Sequence, residues 1–207
     1  MKPAICFIDD SDFEHDLVRR KIAPQAPEYA FVQTYTFEEA RDRLRSEPPA
    51  LFLLDLWGQD PDVEKPVITP KPALAEAASR IPDLDSVFEG LDAFPGDRPN
   101  EYLKRLFRIV DGWRDLFEEA CAAVGQNRKY GLANLRRARE VYPGVPAVFY
   151  TRKSLISDAV AMFRAGCDGL FIKPTGPNDE ETRRLTRENA PGLLRDLTRI
   201  IEASRAS

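Results

Sequence analysis

The chain has 207 residues, 43% of them hydrophobic and 31% charged, with a formal net charge of −4 at pH 7. That balance suits a globular protein of one large domain, or one domain plus an elaboration, and offers no basic footprint for nucleic acid. No apolar run approaches the roughly 18 residues of a membrane span. Three scattered cysteines without CxxC spacing suggest neither a disulfide framework nor a zinc site, and a single histidine removes most metal-hydrolase and many triad mechanisms.

Residues 4–8, AICFI, read as a short apolar strand that begins almost at once, which is not the pattern of a signal peptide. Cys6 is placed in its core. DFEHDLVRRKIAP follows as a helix, capped by Ser11 or Asp12 and ended by Pro24, with His15 expected on its surface. YAFVQTY is a second strand. TFEEARDRLRSEPP is a helix in which Thr36 and Glu39 form a capping box. ALFLLDL is a third strand, apolar on both faces, as in parallel sheets covered by helices on both sides.

The alternation then breaks. Residues 59–128 carry 14 acids against 9 bases and hold the chain's net negative charge. QDPDVEKPVITPKP looks irregular, PALAEAASRI and SVFEGLDAF look like short helices, and a long helix runs from near Asn100, its expected cap, to Gly125. Leu103, Leu106, Val110, Trp113, Phe117, Ala120 and Val124 are spaced 3, 4, 3, 4, 3, 4 along it, a heptad seam. That face either packs on the short helices of its own insertion or stands open to a partner or a second copy. After the insertion the pattern resumes: helix YGLANLRRAREVYP, strand VPAVFYT, helix SLISDAVAMFRAGC stopped at Gly166, strand GLFIKP, and a closing helix APGLLRDLTRIIEAS. The expected fold is α/β, a doubly wound five-stranded parallel sheet of flavodoxin-like type. Its discontinuous main domain comprises residues 1–58 and 129–207, and a mainly helical insertion fills 59–128.

In an open parallel sheet, ligands collect at the carboxyl ends of the strands. Strand one ends in Asp9 and Asp10, strand three in Asp55, strand four in Thr151, and strand five in Lys173 followed by Pro174. Three carboxylates at one edge suit a hard cation such as Mg²⁺. A hydroxyl and an ammonium beside them suit a phosphoryl group in transfer to a carboxylate.

FIDD at 7–10, LLD at 53–55, VFYT at 148–151 and AGCDGLFIKP at 165–174, in that order and with Lys173 lying 22 residues after Thr151, resemble the receiver domain of two-component response regulators. The resemblance covers the whole chain apart from the insertion. It implies that Asp55 accepts a phosphoryl group from a histidine of a sensor kinase or phosphotransfer protein. It further implies that Asp10, Asp55 and the backbone carbonyl of Trp57 ligate Mg²⁺, that Asp9 holds metal-bound water, and that Thr151 and Lys173 bind the phosphoryl oxygens. The Lys173–Pro174 bond would be cis.

Three features depart from the family. Arg152 stands where a small residue is usual, Leu170 stands where an aromatic residue often swings on activation, and Thr151 lies 96 residues after Asp55, against roughly 30 implied by the resemblance. Arg152, Leu170 and Pro174 are therefore the residues tied to switching. The expectation is a cytoplasmic signalling receiver that catalyses only its own phosphorylation. With no DNA-binding module after the last helix, it would act through a downstream protein or a homodimer formed by the insertion. Two readings compete. One is a pseudo-receiver that binds a partner without phosphorylation. The other is a haloacid-dehalogenase-like phosphatase using Asp10-x-Asp12, which leaves Asp55 without a role.

Overall fold

The computed structural model describes residues 2–45, 47–59, 71–123, 125–152 and 156–206. The irregular reading of 60–70, Val124 of the seam, and Ser154 and Leu155 at the start of the helix before the last strand lie outside them. The chain forms two compact units, Met1–Asp60 with Arg128–Ser207, and Pro61–Asn127.

In the first unit, strands β1 (Ala4–Ile8), β2 (Ala30–Thr34), β3 (Leu51–Leu54), β4 (Ala147–Thr151) and β5 (Gly169–Ile172) form one parallel sheet in the order β2-β1-β3-β4-β5. This is the doubly wound order, with its reversal between β1 and β3. Alternate residues of the central strands point to opposite faces, and both faces are buried. Ile5, Phe7, Leu51, Leu53, Val148 and Tyr150 pack with Val18, Ile22, Leu194, Leu197 and Ile201. On the opposite face Phe52 meets the rings of Phe37 and Tyr142. Cys6 lies fully inside, and burial pushes its thiol up to about 12.

Helix α1 (Asp12–Leu17) starts at Ser11, whose hydroxyl accepts from the Glu14 amide, and continues as a π-helical turn, Val18–Ile22. The wider turn lets Leu17 and Ile22, five residues apart, both reach the core. Helix α2 (Phe37–Leu44) has the expected capping pair, except that Glu39 reaches back to the amide of Tyr35.

Helix α6 (Ile156–Arg164) precedes β5, and the closing helix, α7, corrects the sequence reading. It runs from Asp179 to Ala206, starting before Ala190 and passing through Pro191. Asn178 caps it, accepting from the Glu181 amide, and three acids fill its first turn. Proline removes the hydrogen bond to the carbonyl four residues back. Here the side-chain amide of Gln25 donates to that carbonyl, of Arg187, at 3.0 Å.

The second unit contains α3 (Lys71–Ser79), a short 3₁₀ turn (Asp85–Val87) where a helix was expected, and α4 (Arg98–Ala123). Asp97 caps α4 in place of Asn100, accepting from the Asn100 amide at 3.1 Å, and Gly125 ends it at φ 71°. The inner face of α4 is turned away from the predicted seam. Ile109 is buried, and Gly112 lets Ile81 approach to contact distance. Arg105 ties the preceding loop by donating to the carbonyls of Val87 and Glu89. Leu103, Val110 and Trp113 of the seam are exposed, because the apolar stripe of α4 is wider than the small unit can cover. Among the described residues no helix is long and apolar enough to cross a membrane.

Candidate phosphoryl-acceptor and metal site

The sheet ladder itself assembles the site. Ile8 pairs with Leu54, so Asp9 and Asp55 follow at the same level on adjacent strands. The Asp55 amide donates to the Ile8 carbonyl at 2.9 Å, and the Asp9 amide to the Thr34 carbonyl at 3.1 Å. Across the sheet, the Lys173 amide donates to the Thr151 carbonyl at 2.9 Å, which carries the lysine one step past β5. Its ammonium reaches Asp9 Oδ2 at 2.5 Å and Asp55 Oδ1 at 2.8 Å, with Glu14 Oε2 at 3.8 Å. The Thr151 hydroxyl hydrogen-bonds the Asp55 carboxylate. Carboxylate oxygens of Asp9, Asp10 and Asp55 lie within 4.8 Å of one another. Asp10 also accepts from the Gln59 amide at 2.8 Å.

Burial pushes Asp9 and Asp55 above the usual carboxylate range, against the attraction of Lys173, because one ammonium serves both. Burial raises Asp10 too, with help from the charge of Asp55. Burial alone would lower Lys173, but Asp9, Asp55 and Glu14 outweigh it and push the ammonium well up, so it stays charged. With all groups ionised, Asp9, Asp10, Asp55 and Glu14 carry four negative charges against Lys173 and Arg152. The remainder is −2 in an oxygen-only donor set, which fits a hard divalent cation.

Asp10→Asn follows from this imbalance. The amide oxygen keeps the Gln59 hydrogen bond and removes one repelled charge. The metal-free variant is expected to gain about 0.5–2 kcal/mol at neutral pH. A raised folded-state pKa contributes stability at low pH that fades as pH rises through it, so the variant's pH profile is flatter on this limb. Urea unfolding across pH, with and without Mg²⁺, measures both effects, and any stabilisation of the wild type by Mg²⁺ is expected to be lost in the variant.

The Lys173–Pro174 bond is trans, which corrects the expectation. Trans is the lower-energy isomer of an X–Pro bond, and the register of β5 together with the carboxylates already aims the lysine inward. Trp57 is buried two residues beyond Asp55, and Leu170 is half-buried on β5.

Arg152 does not point into the carboxylate cluster. Its Nε and one terminal nitrogen donate to Glu14 Oε1 at 2.8 and 2.6 Å, and the other donates to the Pro174 carbonyl at 3.0 Å and the Thr175 hydroxyl at 2.9 Å. The guanidinium lies 5.7 Å from the centre of the Phe13 ring, which faces Arg183 as well, at 5.0 Å. No motif marks Glu14. It lies four residues after Asp10 and three before the buried Leu17, spacings that put it on the inner face of α1.

His15 is buried, contrary to expectation. Its Nε2 donates to the Asp9 carbonyl at 2.9 Å, its Nδ1 meets the Gln33 side-chain amide at 3.1 Å, and its ring packs edge-on against Phe7 and Tyr35. It positions the Asp9 turn.

Gly131, at the start of α5 (Lys129–Val141), donates its amide to the Leu56 carbonyl at 3.0 Å. A Cβ there would fall 2.4 Å from the Asp55 carbonyl oxygen and 2.6 Å from Leu56 Cα, both backbone atoms. Alanine gains at most about 1 kcal/mol of helix propensity. The clash outweighs it, and Gly131→Ala is expected to cost a net 1–3 kcal/mol, about the usual overpacking penalty. Denaturant unfolding measures the loss, and the loop after Asp55 is expected to shift with it.

No protein-family model matches the sequence, and no curated protein does. Among solved structures, the response regulator domain of Thermotoga maritima CheB matches with a TM-score of 0.51 at 13% identity, over 98% of this chain and 98% of that one. The chain has the receiver fold. A response regulator from Thermotoga maritima gives 0.49 at 15% identity, over 98% and 99% of the two chains. The non-phosphorylated HemR receiver domain from Leptospira biflexa gives 0.45 at 14% identity, over 97% and 94%. At these identities the likeness is one of fold. In the receiver fold the carboxyl edge of β1, β3, β4 and β5 is where Asp9, Asp10, Asp55, Thr151 and Lys173 stand in this chain.

Proposed function

We propose that the chain is a phosphorylatable receiver of a two-component phosphorelay, with Asp55 as the acceptor. The supporting observation is Lys173, which reaches from the end of β5 to the carboxylates that end β1 and β3. An Asp55 oxygen attacks phosphorus of a phosphohistidine on a sensor kinase or phosphotransfer protein. The new P–O bond forms as the P–N bond breaks, its electron pair leaves with the imidazole, and an acyl phosphate remains on Asp55. Lys173 and the Thr151 hydroxyl are placed to donate to the phosphoryl oxygens. Asp10, Asp55 and the Trp57 carbonyl would hold Mg²⁺ directly and Asp9 through water. The ion supplies charge neutralisation at the phosphoryl oxygens.

The acyl phosphate shifts a pre-existing conformational equilibrium, read out through protein contacts that include the insertion. Leu170, Arg152 and Pro174 would be the residues tied to switching. A cytoplasmic setting fits three buried, unbridged cysteines. The phosphatase reading is disfavoured, since Asp12 accepts from the Tyr35 hydroxyl at 2.5 Å on the exposed side of α1.

The test is intact mass after incubation with Mg²⁺ and acetyl phosphate. One added phosphoryl group is expected, absent without Mg²⁺ and absent in Asp55→Asn. No adduct, with beryllofluoride also failing to bind, would sink this reading in favour of the pseudo-receiver.

A further inference from the structure

The outer face of α4 is apolar and open: Leu103, Phe107, Val110 and Trp113 are 46%, 58%, 51% and 52% exposed. Isolated exposed apolar residues are ordinary, but a row of four along one helix marks an interaction surface. The row is symmetric about Val110. Phe107 and Trp113 lie three residues to either side of it, and Leu103 and the half-buried Phe117 lie seven to either side.

The charges on α4 are antisymmetric. Its first half carries Arg98, Lys104, Arg105 and Arg108 against Glu101, and its second half carries Asp111, Asp115, Glu118 and Glu119 against Arg114. Local pairs use Arg105 with Glu101, and Arg114 with Asp111 and Asp115. Lys104 and Arg108 make no ion pair with a described residue. Lys104, Arg108, Asp111, Asp115 and Glu118 recur at steps of 4, 3, 4 and 3, so they form one row flanking the apolar stripe.

A helix that is symmetric in its apolar row and antisymmetric in charge complements itself when turned end for end. We propose that α4 is the interface of an antiparallel homodimer whose two-fold axis passes beside Val110. Val110 then meets its own copy, Phe107 meets Trp113, and Leu103 meets Phe117. Lys104 and Arg108 face Glu118 and Asp115 of the second copy. The contact is isologous and closes as a dimer. A parallel pairing would set cation against cation and acid against acid. This deepens the output role proposed for the insertion, but it is read on oligomeric state and can fail while Asp55 is still phosphorylated.

The experiment is sedimentation equilibrium of the full chain over a range of concentration and salt, beside the acetyl phosphate mass assay. Wild type is expected to form a concentration-dependent dimer that salt weakens. Val110→Glu, at an exposed position, is expected to weaken it at least about tenfold. Lys104→Glu with Arg108→Glu, and separately Asp115→Lys with Glu118→Lys, should each leave monomers. Mixing these two variants should restore a dimer. Circular dichroism checks that each variant keeps its helix. A wild type that stays monomeric at every concentration overturns the proposal and leaves the stripe to a different protein. A dimer indifferent to Val110→Glu, or charge variants that self-associate but do not pair with each other, overturns it as well.

Discussion

Lys173→Met is expected to destabilise the metal-free protein by about 3–5 kcal/mol, the range for removing one partner from a buried ion pair. Methionine keeps the length and the apolar stem but not the ammonium, which lies 2.5 Å from Asp9 and 2.8 Å from Asp55. Both carboxylates and the lysine are buried, so water replaces little of what is lost. Two consequences separate this from a simple packing defect. Burial has already pushed Asp9 and Asp55 up, and without the lysine only the Ser11 amide on Asp9 and the Thr151 hydroxyl on Asp55 oppose that rise. Groups with raised folded-state pKa values lose their contribution as pH increases, so the deficit is larger at neutral than at acid pH. Mg²⁺ should also stabilise the variant more than wild type, because the cation meets one charge more of unopposed carboxylate. Urea unfolding at two pH values, with and without Mg²⁺, reads all three effects. A deficit independent of both pH and Mg²⁺ would contradict the electrostatic role. Under the acceptor role proposed for Asp55, phosphoryl uptake by the variant is expected to fall as well, since that role has Lys173 donate to the transferred group.

Arg152→Ala is expected to cost about 3 kcal/mol, the low end of the range for a broken buried pair, because about a quarter of the arginine side chain meets water. The alanine strands Glu14, whose carboxylate is almost fully buried and, among the described residues, is otherwise served only by Lys173 at 3.8 Å. It also frees the Pro174 carbonyl and the Thr175 hydroxyl, the start of the segment that leads into α7. The decisive measurement is a double-mutant cycle with Glu14→Gln. Glutamine needs no cation, so the double variant should be more stable than Arg152→Ala alone. Arg152→Lys should recover only part, since a single ammonium cannot hold Glu14 and the two oxygens beyond β5 at once. Additive losses across the cycle would mean that the two residues do not act as a pair.

Both predictions fall on side chains that the sequence treated unequally. Lys173 stands directly after an apolar strand and before a proline, and it was legible as a site residue. Asp9, Asp10, Asp55 and Thr151 were legible for the same reason, as polar residues that end buried parallel strands. Glu14 and His15 were not. A charged or polar residue in a helical first turn is usually solvated, and only the packing of α1 against Phe7, Gln33 and Arg152 turns these two inward. By local pattern Gly131 is simply a helix residue. Its requirement comes from the Asp55–Leu56 backbone, more than 70 residues earlier in the chain.

Local patterns by themselves determined the strand and helix order, the two-faced burial of β3, the Thr36 cap and the Gly166 stop, because these depend on residues a few positions apart. The length of α7 was different. The local pattern began it at Ala190, and what lets the helix run through Pro191 is a donor from Gln25, distant in sequence. The face of α4 was likewise undecided, since its apolar positions outnumber those one small unit can bury, and packing on Ile81 and Val87 chose among them. The tertiary structure alone decided which charges became partners. Coulomb attraction and desolvation depend on distances between strands and helices that no sequence spacing contains.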